Sequence, residues 1–429
     1  MSVHTTITYR EIDGRSPGYF ALLLGIGAFL ALGLGAAYYM EHHGHHVTGM
    51  SNQIVWGVPH VFAVFLIIAA SGALNVASIA SVFERTLYKP LTRMSGLVAL
   101  ASLAGGLMVL VLDLGRPDRL IVAMTTYNFR SIFAWNVFLY TGLFVIVAFY
   151  LWSMMAQRQG ARFYKSAALT AFLWRLALTT GTGSIFGFLV AREAYNSAVM
   201  APLFIAMSFV FGKAIFMLIL ISTCHLTGRP LGRIVLTRLQ RLMGIVLAAT
   251  CYFVLLQHLT NLYMAERQPV EMFLLFGGNV YSFLFWVVQI TLGTILPLVL
   301  LLSPRLGGNI SAIVLASVLM IVGGMAQVYI IIVGGQAFPL TLFPGFSEIA
   351  SSAFDGQVGV YTPTLPELLL GMGGVAVMLG VVMVAMAALR FLPASLADAD
   401  VDPDHVHDVI DQEDEAVEEA DDKPVPRGA

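Results

Sequence analysis

Between Pro17 and Phe391 the apolar residues fall into ten long blocks, and polar residues are confined to the short intervals between them. The blocks lie at about 17–41, 55–83, 94–113, 131–155, 167–191, 201–225, 241–264, 279–302, 310–333 and 366–391. A helix needs about 20 apolar residues to cross the hydrocarbon core, and continuous runs of this kind satisfy their backbone groups in lipid as helices. The pattern predicts an all-α polytopic membrane protein with ten transmembrane helices. It divides the chain into a short segment (1–16), a membrane domain (17–392) and a tail (393–429). The first block is too long for a signal-peptide core and has no basic cluster just before it, so it is expected to be retained.

Composition agrees, with 58% hydrophobic residues, 11% charged residues and a mean hydropathy of +0.82. Lys and Arg set the orientation: sixteen lie on the side of the two termini and five on the other. By the positive-inside rule both ends are then cytoplasmic. The net charge of −2 conceals a partition, because thirteen acids between Asp398 and Asp422 make the tail strongly negative. That tail lacks apolar periodicity and reads as a solvated, disordered extension; docking onto a basic partner is the other reading. Cys224 and Cys251 are the only cysteines, with no CxxC pattern, so the chain offers neither an iron–sulfur ligand set nor a disulfide framework. No metal motif, phosphate loop or dinucleotide fingerprint is present, and nothing points to nucleic acid.

Charges near lipid are costly and therefore informative. The densest group is VLDLGRPDRLIVAMTTYNFRSIFAWN, from Val111 to Asn136. Gly115-Arg116-Pro117 forces a turn, leaving Asp113 at an outer helix end near Arg116, Arg119 and Arg130, with Trp135 and Asn136 one turn into the next helix. His60, in WGVPHVF, stands at the same depth on the second span, and its helix face continues through Ser71, Asn75 and Ser78. The plain reading is a neutralised loop with an aromatic anchor and a satisfied interfacial histidine. The functional reading is a site open to the outer leaflet. Quinol oxidation releases two protons and two electrons, so it needs hydrogen-bond partners and a base titrating near neutrality; His and a lipid-edge carboxylate supply these.

These stretches, WGVPHVFAVFLIIAASGALN, LDLGRPDR, FRSIFAWNVFLY, AREAYNSAVMAPLFIAMSFVFGKA and YTPTLPELL, resemble the NrfD/PsrC family of quinone-interacting membrane subunits. Ten spans are similar to its larger branch (HybB, ActC and DsrP types, the last the nearest likeness). The resemblance implies two four-helix bundles plus flanking helices, in the cytoplasmic membrane of a prokaryote. It implies a quinone site at His60, Asp113, Arg116, Arg130, Trp135 and Asn136, taking menaquinone or ubiquinone. It also implies a ferredoxin-like iron–sulfur subunit on the outer face and further redox subunits, so that the chain acts within a quinone-dependent oxidoreductase complex of respiration or sulfur metabolism. The sequence departs from the ActC type, which places a histidine about where Ser71 stands and Asp where Asn136 stands.

The second half holds its own charges. Lys213 stands at the middle of the sixth span, Arg175 on the fifth with Thr179 and Thr182, and His258 on the seventh near Thr250, Gln257 and Asn261. With Arg192 and Glu193 they read either as a proton pathway from the cytoplasm or as structure: a capped helix end and an arginine satisfying carbonyls of a broken helix. His42, His43, His45 and His46 read as flexible, exposed histidines, with metal binding or a partner contact as alternatives. Residues 334–366 read as a long loop covering the bundle or touching a partner. Two other classes compete. A haem-b cytochrome needs paired interior histidines, and His60 and His258 belong to different bundles. A secondary transporter or proton channel is favoured by Lys213, but no inverted repeat accompanies it.

Overall fold

The computed structural model describes residues 8–156, 161–306, 308–340 and 356–401. Ten long helices thread them: α1 (Pro17–His43), α2 (Val58–Ser81), α3 (Thr86–Leu112), α4 (Ile132–Met155), α5 (Ala161–Phe188), α6 (Met200–Thr227), α7 (Arg233–Tyr263), α8 (Val280–Leu302), α9 (Ile310–Ala337) and α10 (Leu365–Ala388). Among the described residues, nine of these are long and apolar enough to cross a membrane. The exception is α5, which corresponds to the fifth block. It has the length, 28 residues, but Arg175, Thr179, Thr180 and Thr182 lower its hydropathy. The chain is an all-α polytopic membrane protein.

Helices α2, α3, α4 and α5 pack as one ring of four, and α6, α7, α8 and α9 as a second. The rings meet where α2 and α5 lie against α6, while α1 and α10 flank the first along α3. The seam is very close. A Cβ on Gly72 would stand 1.6 Å from the Ser208 carbonyl oxygen, and one on Gly212 2.2 Å from the Ala73 nitrogen. Small residues let backbones touch in this way where lipid supplies no hydrophobic drive. Helix α2 is interrupted at Leu74, one turn beyond Ser71.

The two ends of the described chain meet on one face. Tyr9–Arg10 pairs antiparallel with Leu392–Pro393, and the Arg229 guanidinium donates to the carbonyls of Arg10, Glu11, Leu392 and Pro393. The packed body runs past 393, the boundary that composition suggests. The Asp398 carboxylate accepts from the amides of Arg233 and Ile234 at 3.1 and 2.9 Å, satisfying the orphan donors at the start of α7. That explains why α7 begins at Arg233 rather than near 241. The rest of the tail, 402–429, lies outside the described residues.

Candidate functional site

At the opposite face the start of α2 is built from distant parts of the chain. Gly57 caps it and Pro59 occupies the first turn, a position where the missing N–H costs nothing. The amides of Val55 and Trp56 donate to Gln336 Oε1 (2.9 and 3.1 Å), and that of Val58 to the Tyr361 hydroxyl (2.7 Å). Tyr361 in turn donates to Glu367 Oε1 at 2.8 Å. Glu367, fully buried, also accepts from Gly49, the Thr364 amide and the Thr364 hydroxyl. The described parts of the 334–366 segment thus lie over the mouth of the first ring; 341–355 fall outside the described residues.

Under this cover the structure brings His60 and Asp113 together. Asp113, the C-cap of α3, has a side chain only 1% exposed, and its Oδ2 lies 2.7 Å from His60 Nδ1. The separation is that of an ion pair, but the ring is not aimed along the line to the oxygen. Both Asp113 oxygens and His60 Nδ1 are therefore buried without an aligned hydrogen-bond partner among the described residues. Buried polar atoms are rarely left so, and here they face a place where a ligand can supply the missing bonds. Trp56 closes one side, its ring 6.1 Å from His60 and 6.0 Å from both Phe133 and Phe186. Two buried acceptors, an imidazole able to donate or accept, and aromatic walls fit a planar ring bearing hydroxyl or carbonyl groups.

The other expected members stand apart from this pair. Arg116, 63% exposed, turns to Asp118 in a two-point contact of 3.2 Å each, because an acid two residues on is easier to reach than a buried one. That hydrogen bond holds the Asp118 carboxyl below its usual range. Arg130 is exposed. The Trp135 indole donates to the Phe129 carbonyl at 2.9 Å on the surface loop. Asn136 is buried but faces α5, donating to the carbonyls of Ile132 (2.9 Å) and Gly181 (3.0 Å) and accepting from Thr182. Two residues not expected in the site take part. Trp56 is the aromatic wall. His45 places Nε2 3.0 Å from the Asp113 backbone oxygen; His42, His43 and His46 are exposed as the sequence suggests, but His45 is not.

The structure does not bring the five residues read as a proton pathway together in one place. Arg175, 1% exposed, donates to the Ser71 carbonyl at 3.3 Å, next to the break in α2, and Ser71 Oγ returns a bond to the Arg175 carbonyl. Its guanidinium also lies over Phe172 and Phe209. Lys213 is 2% exposed, with no hydrogen bond or ion pair to its side chain among the described residues. Arg192 ties loops together through the carbonyls of Gln53 and Gln336. Glu193 sits in the loop after α5, where partial burial and the neighbouring Glu266 push its carboxyl up. His258 belongs to the second ring, 2.8 Å from Glu271.

A buried carboxylate–histidine pair at the mouth of a four-helix ring, beside a second ring, makes this an integral membrane protein with a polar site at one bundle end. Residues 46–340 match the family described as "Polysulphide reductase, NrfD", and the chain belongs to that family. It is 28% identical to the Hdr-like menaquinol oxidoreductase integral membrane subunit of Archaeoglobus fulgidus, covering 90% of this chain and 97% of that one. It is 31% identical to a putative membrane subunit of dimethyl sulfoxide reductase from Halobacterium salinarum (88% and 92% covered). With a selenate reductase subunit from Mesobacillus selenatarsenatis it shares 22% identity (81% and 88% covered).

Proposed function

We propose that this chain is the quinone-reactive membrane subunit of a multi-subunit oxidoreductase, with the ring bound between His60, Asp113 and Trp56. The observation that carries the reading is the buried Asp113–His60 pair with unmatched oxygens at the bundle mouth. Relatives named as subunits of menaquinol oxidoreductase, dimethyl sulfoxide reductase and selenate reductase support it. A bound quinol supplies two electrons and two protons. Asp113 is placed to accept a hydroxyl proton at Oδ2, and His60 to hold or pass on that proton at Nδ1. His45 fixes the Asp113 backbone, and the Tyr361–Glu367–Gln336 cover keeps bulk water off the pair.

Electrons pass to a partner, since the sequence offers no ligand set for an iron–sulfur cluster or paired-histidine haem. An iron–sulfur subunit of ferredoxin type, docked over the Asp113 end, suits that task, with further redox subunits behind it. With the Lys/Arg excess on the face of the termini, the Asp113 end is extracytoplasmic and the membrane is the cytoplasmic membrane of a prokaryote. Lys213 and Arg175 mark a polar path along the seam of the first ring, reaching from the cytoplasmic side toward the quinone, along which proton translocation is coupled to quinol oxidation. Photolabelling of the assembled complex with an azidoquinone tests the site. Label in the peptides around His60 and Asp113, displaced by menaquinone, is expected; label elsewhere, or none displaced, refutes the assignment.

A further inference from the structure

The second ring contains a cavity of about 40 Å³, which at roughly 10–15 Å³ for each water centre has room for a few waters. His258, Glu271, Asn261, Gln257, Gln289 and Gln327 supply its polar lining. A smaller cavity of about 20 Å³ adjoins it, sharing Val254, Gln289 and Gln327, and runs deeper to Thr250 and Thr294. The space follows from the local winding of α8. Residues Leu284–Ile295 form a π-helix, in which the Thr291 and Thr294 hydroxyls donate five residues back to Trp286 and Gln289. One widened stretch of this kind brings Gln289 and Thr294 to the cavities.

Two observations call for a ligand there. Gln257, 3% exposed, uses Oε1 to accept from Ser197 at 2.7 Å, yet its Nε2 is buried without a partner among the described residues. Beside it the Glu271 carboxylate, 2% exposed, is held by Asn261 at 2.6 Å and by His258 at 2.8 Å. The titratable and charged groups facing the two cavities are these two, the Cys251 thiol in the deeper one and, at the rim, Arg267, which donates to Asn261 Oδ1 at 3.3 Å and to the Asn196 carbonyl. α6, α8 and α9 contribute no charge to the lining. A carboxylate and an imidazole in contact, with amide side chains around them and Leu247, Phe211 and Met320 lining the deeper cavity, make a place that can hold a proton.

We infer that the second ring is a water-filled chamber binding a proton at the His258–Glu271 pair, separate from the His60–Asp113 site. It opens toward the end where α7 finishes at Tyr263. Nothing in it depends on quinone chemistry, so it stands or falls apart from the reading above.

Two measurements on the intact complex test it. Radiolytic labelling in ¹⁸O-water marks buried residues that touch ordered water. Met200, 4% exposed, lines the chamber, while Met207 and Met217 on the same helix, both 0% exposed, line neither cavity. Met200 should be labelled severalfold above the other two, and Gln257→Leu should reduce that label. Infrared titration should then show a carboxyl band that Glu271→Gln abolishes and His258→Gln shifts. Should Glu271→Gln fail to assemble, the His258→Gln shift decides. Label at Met200 no greater than at Met217 removes the water, and a titration unchanged by the substitutions removes the proton; either result overturns the proposal.

Discussion

Replacing Asp113 by Asn and His60 by Ala should cost similar activity but different stability. Neither Asp113 oxygen receives an aligned hydrogen bond among the described residues, and the His45 contact is to the Asp113 backbone. Asp113→Asn therefore keeps shape and breaks no such bond, so stability should change by less than about 1 kcal/mol, the scale of one net hydrogen bond. Turnover of menaquinol by the assembled complex should fall about 10²-fold or more, the scale of a lost acid–base group, or about 2.7 kcal/mol of barrier at 1.36 kcal/mol per tenfold. His60→Ala should lose turnover similarly, but it also leaves a carboxylate of 1% exposure with, among the described residues, only the more distant His45 imidazole, 4.0 Å away, beside it. Breaking one side of a buried pair costs about 3–5 kcal/mol, so its melting temperature should drop clearly. The double variant should recover much of that loss, because no charge is left to strand. The assay is oxidation of a soluble menaquinol analogue, read beside thermal melting. Normal turnover in assembled Asp113→Asn and His60→Ala complexes refutes the site. A double variant no more stable than His60→Ala refutes the pairing.

Three further substitutions carry expected outcomes. Arg116→Ala should change turnover little, since its partner is the exposed Asp118 and fully exposed pairs contribute little; a loss of about 10²-fold, the scale of a lost acid–base group, would return it to the site. Because Arg116 lowers the Asp118 carboxyl, the pair's contribution is present above the unfolded carboxylate value of about 3.9 and is lost as pH falls through the folded one; an Arg116→Ala difference in stability that grows on acidification contradicts this. Lys213→Met should leave assembly and uncoupled turnover intact while reducing charge separation in proteoliposomes; simple failure to assemble makes the lysine structural. Gly72→Val should block joining of the two rings, since even a Cβ meets Ser208 at 1.6 Å, and a normally assembled complex would contradict the seam.

Much of the fold is legible in the sequence because lipid imposes one rule on every block, and that rule needs no partner. His60 and Asp113 are legible for a related reason: a charge at a helix end near lipid is rare, and two at one depth suggest a meeting. Contacts across long chain separations leave no such trace. His45 reaches Asp113 over 68 residues, and its own neighbourhood, a run of histidines, reads as solvent-exposed. Asp398 looks like one more acid of a polar tail, yet it caps α7. Arg116 misleads in the other direction, since sequence nearness to Asp113 says nothing of which acid it reaches. The Thr364–Glu367 spacing is a capping box, but only the structure adds Tyr361 and Gly49 to the same carboxylate.

The burial of α2 has a consequence for how the protein is made. In its most apolar window 89% of residues are covered by other helices, against 17% for α1. Part of that cover is α6, which begins at Met200. At about 5–20 residues per second the ribosome delivers α6 some tens of seconds or less after α2 has left the exit tunnel. Through that interval the Gly72 face has no mate. A helix so rich in small and polar positions is a poor lipid neighbour. During synthesis it needs shelter, from the translocation machinery or from α3, which arrives next, before the bundle can close around it.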